Sequence, residues 1–376
     1  MRVCVVGAGI AGMLLAWRLV RHPGLEVVLL TGGAGARDAT HASGGLIRGF
    51  DPDPDLAGQA QRSLEELGSS ALLRQWAGYR AVGSLYILGT APPPDRVAAL
   101  ERRMPGSVSV LDRGELEARY GLAGLPAGAT AVLERQAGYF SPEQLRTRAR
   151  ADFAARGGVL DLGPLRGLRP APGGVQYRTD GAWTGADAVV LATGAWTGPL
   201  LAELGLPAAG LRTKVIQCAV YSVGGDRPPA FVDENSGLYG RPAGPGQMLF
   251  GLPTERWDCE PGTRVFLDRE ERAVRPAIAA TLPGLRLGAP HRYIAAADAY
   301  STEGRLALHA LPTGEGRVYT FTGGSGGSAK TTLAAGADAA AELLRRLGAE
   351  PPQPEAEAAP ESERVRPIPI PEGGRT

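Results

Sequence analysis

Three glycines near the start of the chain have the spacing of a site that binds a dinucleotide pyrophosphate. Gly7, Gly9 and Gly12 follow an apolar run, RVCVV, and precede an apolar helical pattern, IAGMLLAWRLV. In such a site the first glycine makes a tight turn, the second lets the backbone approach the phosphates, and the third lets the helix pack on the strand. Because the pattern begins at residue 2, it predicts a nucleotide cofactor and leaves no room for a leader.

The second predicted strand, LEVVLLT, lacks the acidic residue that usually binds the ribose hydroxyls about 20 residues after the glycines. Thr31 stands where that acid is expected. We therefore expect ribose binding to be weakened or supplied by other groups. This end of the chain alone leaves FAD and a nicotinamide cofactor as alternatives.

Length and composition indicate a globular enzyme. The 376 residues are 44% hydrophobic, enough for two or three domain-sized units with a buried core. A net charge of +1 gives no reason to expect nucleic acid or an anionic membrane as a partner, and no apolar run is long enough to span a bilayer. The sequence therefore predicts a cytoplasmic protein, with a homo-oligomer left open.

The cysteines and histidines predict no metal site. Cys4, Cys218 and Cys259 form neither a CxxC pair nor an even framework, and the chain has only four histidines. Without a signal peptide, the cysteines are expected to be reduced thiols.

Lysine is rare in this chain. Of the 40 basic residues only Lys214 and Lys330 are lysines, and the other 38 are arginines. Where arginine is the default, a lysine is a candidate for a site that needs a compact ammonium group instead of a planar fork. For Lys214, accidental retention is an equally good explanation.

Periodicity and turn residues predict alternating helices and strands, followed by a β-rich region. The predicted segments are a helical stretch at 55–79, a strand at 83–90, a short helix within the proline-interrupted 91–135, a helix after AGYFSP, a strand within 186–196, an antiparallel sheet at 212–300, and a final strand, glycine-rich loop and helix. From about residue 349 the composition changes to Pro, Glu, Ala and Arg, which predicts a tail outside the core.

Four motifs in this order, GAGIAG at 7–12, ATHASGGLI at 39–47, AGYFSP at 137–142 and VVLATGAWT at 189–197, resemble the FAD-dependent amine and amino-acid oxidases of the D-amino-acid oxidase superfamily. The glycine oxidase and sarcosine oxidase branch is the most similar, and the resemblance extends to about residue 346. It implies an α/β fold: a Rossmann-like FAD-binding domain of the glutathione reductase type, with an inserted antiparallel-sheet substrate domain.

The resemblance also divides the chain into domains. The expected division is 1–80, 136–210 and 304–348 for the discontinuous FAD-binding domain, 81–135 and 211–303 for the substrate-binding domain, and 349–376 for the tail.

The cofactor implied by the resemblance is non-covalent FAD. Its expected contacts come from the first glycine loop, the end of the second strand, the Thr/Ser–Gly segment, the ATGAW turn and the last glycine-rich loop. These residues are Gly7, Gly9, Ile10, Ala11, Gly12, Thr31, Thr40, Ser43, Gly44, Gly45, Thr193, Gly194, Trp196, Gly324, Ser325, Gly326, Gly327, Ser328 and Lys330.

The substrate residues implied by the resemblance form a carboxylate-binding pair and a cavity wall. His41 lies near the flavin in related sarcosine oxidases, and Arg48, seven residues later, grips the substrate carboxylate with Lys330. An arginine fork and an ammonium suit this task because charge-assisted hydrogen bonds are roughly twice as strong as neutral ones. Tyr239 and Tyr300 correspond to tyrosines that line the substrate cavity.

Three further positions are assigned to the substrate pocket, and two of them depart from the family pattern. Asp298 replaces the cysteine that attaches FAD in sarcosine oxidases and the carboxylate-binding arginine of glycine oxidases. It is free to meet an amine or hydroxyl of a larger substrate. Leu249 replaces the lysine that activates oxygen in sarcosine oxidases, which puts rapid reoxidation by oxygen in doubt. Arg241 completes this set.

The reaction implied is hydride transfer to flavin N5 from the carbon next to a neutral amine, with positioning carrying the catalysis and no dedicated general base. We expect an N-substituted glycine, such as an N-carboxymethyl amine of secondary metabolism. Its imine hydrolyses to glyoxylate and a free amine, and oxygen is reduced to hydrogen peroxide. The alternatives are a sarcosine-type demethylation that releases formaldehyde, an amine dehydrogenase with another electron acceptor, and a flavin-binding protein without turnover.

Overall fold

A computed structural model of the protein describes residues 1–32, 38–207, 210–263, 265–313 and 317–350. The strands in these ranges are β1 Arg2–Val6, β2 Glu26–Leu30, β3 Leu46–Ile47, β4 Ser84–Leu88, β5 Val108–Asp112, β6 Thr130–Glu134, β7 Gly138–Tyr139, β8 Val159–Asp161, β9 Gly167–Ala171, β10 Gly174–Arg178, β11 Thr184–Ala186, β12 Ala188–Leu191, β13 Leu211–Gly224, β14 Ala230–Asp233, β15 Tyr239–Gly244, β16 Gln247–Gly251, β17 Arg286–Ser301, β18 Ala307–Ala310 and β19 Val318–Thr322.

The helices are α1 Ile10–Leu19, α2 Ala39–Ala42, α3 Pro54–Ser69, α4 Ala71–Ala77, α5 Pro94–Arg103, α6 Arg113–Tyr120, α7 Pro142–Ala155, α8 Thr197–Glu203, α9 Asp268–Thr281 and α10 Thr332–Arg346. Two 3₁₀ segments span Gly194–Trp196 and Ser325–Lys330. No helix in the described ranges is both long and apolar enough to cross a bilayer.

A six-stranded sheet carries the nucleotide-binding motif. Its order is β18-β19-β12-β1-β2-β8, with β1 pairing in parallel with both β2 and β12. Val3, Cys4 and Val5 of β1 are fully buried, as expected for a parallel strand covered on both faces. Helices α7 and α10 pack against α1. The predicted strand–glycine–helix unit therefore lies at the centre of this sheet.

A second, eight-stranded sheet is built from residues 84–134 and 211–301. Its order is β17-β13-β16-β15-β14-β4-β6-β5. Adjacent strands in this sheet are antiparallel, except that β14 and β4 pair in parallel. The two long strands β13 and β17 pair from Leu211 with Ser301 to Gly224 with Arg286. Together the two sheets confirm the predicted α/β fold class.

Three features differ from the sequence prediction. The helical stretch at 55–79 is two helices, because Ser70 ends α3 and its side chain caps α4 by accepting from the Leu73 N–H. Helix α9 lies inside the region predicted as antiparallel strands. The sequence did not indicate this helix because it contains Pro276, and proline is disfavoured in helix interiors. Strands β9 to β11 form a small third sheet that was not predicted. Of the predicted tail, residues 351–376 lie outside the described residues.

Candidate active site

The predicted cofactor residues surround a large cavity. Its volume is about 1430 Å³, above the roughly 300–1,000 Å³ of typical small-molecule pockets. The wall includes 17 of the 19 residues predicted to contact FAD, all except Gly12 and Ser325. A cavity of this size and lining is compatible with an extended dinucleotide together with a substrate.

The first glycine loop has the geometry that a pyrophosphate needs. Gly7 has φ +109°, and a Cβ on it would lie 2.4 Å from Ala192 O. At Gly12 a Cβ would lie 2.0 Å from Gly7 O, so this glycine packs α1 on β1 instead of lining the cavity. Gly9 is the N-cap of α1 and has no side chain that would cover the helix N-terminus, which favours an anion there, although the Ile10 N–H donates to Thr40 Oγ1. These residues fit the phosphates of FAD.

The segment after β2 reaches the cavity without an acidic residue. Thr31 and Gly32 line the wall there. The charged residues of the wall include Asp38, Glu143, Arg146 and Glu203, and Arg146 pairs with both Asp38 and Glu143. Replacement groups for the missing ribose contact are therefore available.

The other predicted cofactor segments are tight turns that present backbone to the cavity. Ser43 Oγ accepts the Gly45 N–H at 3.1 Å, and Gly45 has φ +64°. Thr40 Oγ1 accepts the Ile10 N–H at 3.0 Å and so ties this segment to α1. The two 3₁₀ segments bring Thr193, Gly194 and Trp196, and then Gly324, Gly326, Gly327, Ser328 and Lys330, to the same wall.

The predicted carboxylate-binding pair is buried at the cavity wall. Arg48 is 8% exposed and Lys330 is 6% exposed. No acceptor among the described residues bonds to Arg48 Nε, although this atom is buried. A buried donor without a partner is costly, and Arg48 lines the cavity, so this group could bind an anionic ligand there.

Sequence reasoning missed the carboxylate that serves this pair. Asp51 Oδ2 lies 2.9 Å from Lys330 Nζ and 3.5 Å from Arg48 Nη2. Burial and the Arg48 charge lower the pKa of Lys330, while Asp51 opposes that shift. The Tyr86 ring also contacts Arg48, with its centroid 4.4 Å from the guanidinium carbon. The signal available in the sequence was an acid three residues after Arg48.

A second missed carboxylate fixes the segment between Arg48 and Asp51. Glu134, fully buried at the end of β6, accepts the Gly49 N–H at 2.7 Å and the Phe50 N–H at 2.9 Å. Burial raises the pKa of Glu134, and these two hydrogen bonds oppose the shift. Because Glu134 lies 84 residues along the chain from Phe50, no local pattern could have indicated this contact.

The predicted tyrosines and Asp298 lie on the eight-stranded sheet and line the cavity. Tyr239 Oη donates to Gln217 O at 3.4 Å, and burial raises the pKa of Tyr239. Tyr300 forms a bridge with Gly324 in the last glycine-rich loop. Burial raises the pKa of Asp298 to about 6, opposed by the Ala299 N–H that its carboxylate accepts at 2.8 Å.

Three residues predicted near the flavin or in the substrate pocket are not in the cavity wall. The side chain of His41 is exposed, because the short α2 directs neighbouring Thr40 and Ala42 inward instead. Leu249 is fully buried beside Cys218 and Val220.

Arg241 is the third of these residues. Its guanidinium donates to Gly44 O and Pro242 O, so it holds the backbone of the segment that contains Gly44. Ser325, which has φ +57°, is also outside the cavity wall, while its neighbours Gly324 and Gly326 line it.

Asp51 gives a first prediction. Asp51→Asn leaves two buried cations without their carboxylate, and we expect the free energy of unfolding to fall by about 3 kcal/mol. Saturating acetate should stabilise this variant more than the wild-type protein, because it supplies Arg48 and Lys330 with the carboxylate that the variant lacks. Urea unfolding of the holoenzyme with and without acetate measures both effects.

The matched control is Asp53→Asn, which changes a carboxylate that caps α3 and does not form an ion pair with Arg48 or Lys330. Its expected loss is about 1 kcal/mol or less, without rescue by acetate. Equal losses in the two variants, or no rescue of Asp51→Asn, would contradict the assigned role of Asp51.

Known proteins were compared with the chain by sequence and by structure. A profile of the FAD-dependent oxidoreductase (DAO) family matches residues 2–343. A curated relative, a glycine oxidase of Pseudomonas aeruginosa, is 29% identical over 302 residues, covering 76% of this chain and 79% of the relative. A solved glycine oxidase from Geobacillus kaustophilus has a TM-score of 0.73 at 20% identity, covering 92% of this chain and 95% of that one. An iminodiacetate oxidase from Chelativorans sp. BNC1 has a TM-score of 0.67 at 22% identity, covering 96% of this chain and 99% of that one.

Proposed function

Because the chain belongs to the family of FAD-dependent oxidoreductases, we propose that it is an oxidase of the glycine oxidase type that acts on an N-substituted glycine. The observation that carries this proposal is the buried pair Arg48 and Lys330, with Arg48 Nε unpartnered among the described residues. A carboxylate on this pair would replace lost hydration with charge-assisted hydrogen bonds. The substrate is therefore a carboxylated amine.

Bound FAD supplies a two-electron acceptor for the carbon between the amine and the carboxylate. The protein's part is to hold that carbon in one orientation, since positioning alone can contribute a large share of the rate. Arg48 and Lys330 fix the carboxylate end, and the Tyr239 and Tyr300 rings limit movement of the rest. The proposal needs no dedicated general base. Hydrolysis of the product imine releases glyoxylate and a free amine.

Two relatives support the choice of substrate class. The curated relative is named for glycine oxidation. The iminodiacetate oxidase is named for a glycine whose nitrogen carries a carboxymethyl group. By extension from these two substrates, we propose that this protein oxidises an N-carboxymethyl amine. A place in secondary metabolism is part of the same proposal and follows the sequence resemblance.

A second candidate function is an amine dehydrogenase that passes its electrons to an acceptor other than oxygen. Leu249 favours it, because this apolar, fully buried residue stands where sarcosine oxidases carry an oxygen-activating lysine. A sarcosine-type demethylation differs in the carbon that is oxidised and would release formaldehyde.

The test is an anaerobic titration of the purified yellow protein with glycine, sarcosine and N-alkylglycines, followed by air. The expected result is bleaching of the flavin, glyoxylate as product, and peroxide on reoxidation. The flavin should be released by acid precipitation, as expected for non-covalent FAD. Formaldehyde would indicate demethylation, and slow reoxidation in air would indicate a dehydrogenase. No bleaching with any glycine derivative would overturn the proposal.

The raised pKa of Asp298 predicts a pH-dependent stability. Its pKa is about 6 in the folded protein, against 3.8 for an unperturbed aspartate side chain, so the folded state binds this proton more tightly than the unfolded state. The free energy of unfolding should therefore fall as pH rises from about 4 to 6, by at most about 3 kcal/mol. Asp298→Asn should remove this loss.

The measurement is urea unfolding of the wild-type and Asp298→Asn holoenzymes at pH 4.5 and pH 8. The variant should be the more stable protein at pH 8, and the two should be much closer at pH 4.5. A difference that is the same at both pH values would exclude titration of Asp298 as its cause.

A further inference from the structure

A second charged pair lines the cavity apart from Arg48 and Lys330. Lys214 on β13 and Asp298 on β17 are direct partners in the antiparallel register, and both line the wall. Directly opposed residues have Cβ atoms about 4.5–5.5 Å apart on one face of the sheet. Within the described part of the chain, however, they do not form an ion pair with each other, and the ion-pair partner of Lys214 is Glu255.

The Lys214 ammonium has no close acceptor. Glu255 Oε1 is 3.7 Å away, beyond hydrogen-bond distance, and that glutamate side chain is 85% exposed. A solvent-exposed ion pair of this kind contributes little to the free energy of folding. The ammonium lies 4.5 Å from the ring centroid of Trp257, and the Lys214 side chain itself is 13% exposed. Its donors are therefore available to a ligand in the cavity.

The Asp298 carboxylate is in the complementary position. One of its oxygens accepts the Ala299 N–H, and no basic side chain among the described residues forms an ion pair with this carboxylate. Burial is the largest cause of its raised pKa. A buried carboxylate with an unused oxygen favours a ligand that donates hydrogen bonds or carries positive charge.

We propose that Lys214 and Asp298 bind the far end of the substrate's N-substituent, and that this end is an α-amino acid group with its carboxylate on Lys214 and its ammonium on Asp298. The inference rests on the proposed function, since Arg48 and Lys330 hold the glycine end. A carboxylate alone would face the unpaired Asp298, and an ammonium alone would face Lys214. A zwitterion satisfies both groups, which makes it the ligand class that fits this pair.

The test compares four N-alkylglycines of similar length on the holoenzyme. They are Nε-carboxymethyl-lysine, with a zwitterionic end, N-(5-aminopentyl)glycine, with an ammonium only, N-(5-carboxypentyl)glycine, with a carboxylate only, and N-pentylglycine, without charge. Binding is followed under anaerobic conditions by perturbation of the flavin spectrum, and turnover by kcat/KM. We expect the zwitterion to bind more tightly than the uncharged compound by at least about 10-fold.

The variants separate the two contacts. Lys214→Met should weaken the compounds with a far carboxylate about 10- to 100-fold and leave N-pentylglycine unchanged. Asp298→Asn should weaken only those with a far ammonium. Lys214→Arg should retain part of the affinity, and Glu255→Gln, which changes only the exposed partner of Lys214, should not weaken the zwitterion.

The outcomes distinguish this inference from the proposed function. If all four compounds bind or react equally well, the far-end site is wrong and the N-substituted glycine oxidase stands. If Lys214→Met lowers FAD affinity and weakens all four compounds alike, the pair contacts the cofactor and the inference fails. If no compound perturbs or bleaches the flavin, the proposed function fails, and with it the inference.

Discussion

Arg48→Met is expected to lower kcat/KM for the N-substituted glycine by about 10²- to 10³-fold. Removing one member of a buried charge contact costs about 2–5 kcal/mol, and each 1.4 kcal/mol corresponds to a factor of ten. The loss should appear in kcat as well as KM, because a substrate held only by Lys330 can rotate its reacting carbon away from the flavin. Steady-state kinetics and anaerobic flavin reduction measure the two effects separately.

The matched control for Arg48→Met is Arg62→Met, which breaks an exposed ion pair with Asp338 on the outside of the protein. Its kinetics should be unchanged. Lys330→Met should resemble Arg48→Met, and Arg48→Lys should recover part of the activity by keeping the charge without the fork. If Arg48→Met slows an amine without a carboxylate by the same factor, then Arg48 does not act by anchoring that group.

Gly12→Ala is expected to yield protein that retains little or no FAD. The added methyl group would lie 2.0 Å from Gly7 O and 2.9 Å from Ala192 Cβ. Neither neighbour can move without displacing α1 from β1, and this displacement would disturb the helix N-terminus that faces the phosphates. We expect FAD affinity to fall at least about 100-fold, which corresponds to a loss of about 3 kcal/mol. Flavin content and the quenching of FAD fluorescence by apoprotein measure it.

Gly58→Ala is the matched control for Gly12→Ala. Gly58 lies inside α3, and a Cβ on it would meet nothing within 4 Å. This change should leave flavin content unchanged and raise stability by about 0.5–1 kcal/mol, since alanine favours helices over glycine. A Gly12→Ala protein that retains a full complement of FAD would contradict the close-packing role of Gly12.

The cofactor wall was largely predictable from sequence because local backbone rules govern it. The roles of Gly7 and Gly12 follow from turn geometry and helix–strand packing, and both require only a few consecutive residues. The prediction of His41 near the flavin came from the family resemblance, and the structure leaves its side chain exposed and outside the cavity wall. A single residue's shift within a short helical turn exchanges the inward and outward side chains.

The supports of the substrate site were not predictable in this way. Glu134 reaches Gly49 and Phe50 from a distant strand, and this contact exists only once β6 joins the second sheet. Lys214 was noticed for its rarity, but its partner Asp298 depends on the register between β13 and β17. Register over such a separation is set by the packed sheet and not by either strand's own sequence.

The strand order of the first sheet has a consequence for biosynthesis. Strand β1 is central, but its neighbour β12 and the next strand β19 end at Leu191 and Thr322, and Lys330 lies beyond both. A ribosome must therefore release almost the whole folded region before the glycine loop has its complete surroundings. Until β12 has been made, the nascent chain holds an unpaired, apolar β1 edge, and until β19 has been made β12 holds one, both of the kind that favours aggregation. We therefore expect FAD to bind only after most of the chain has been made.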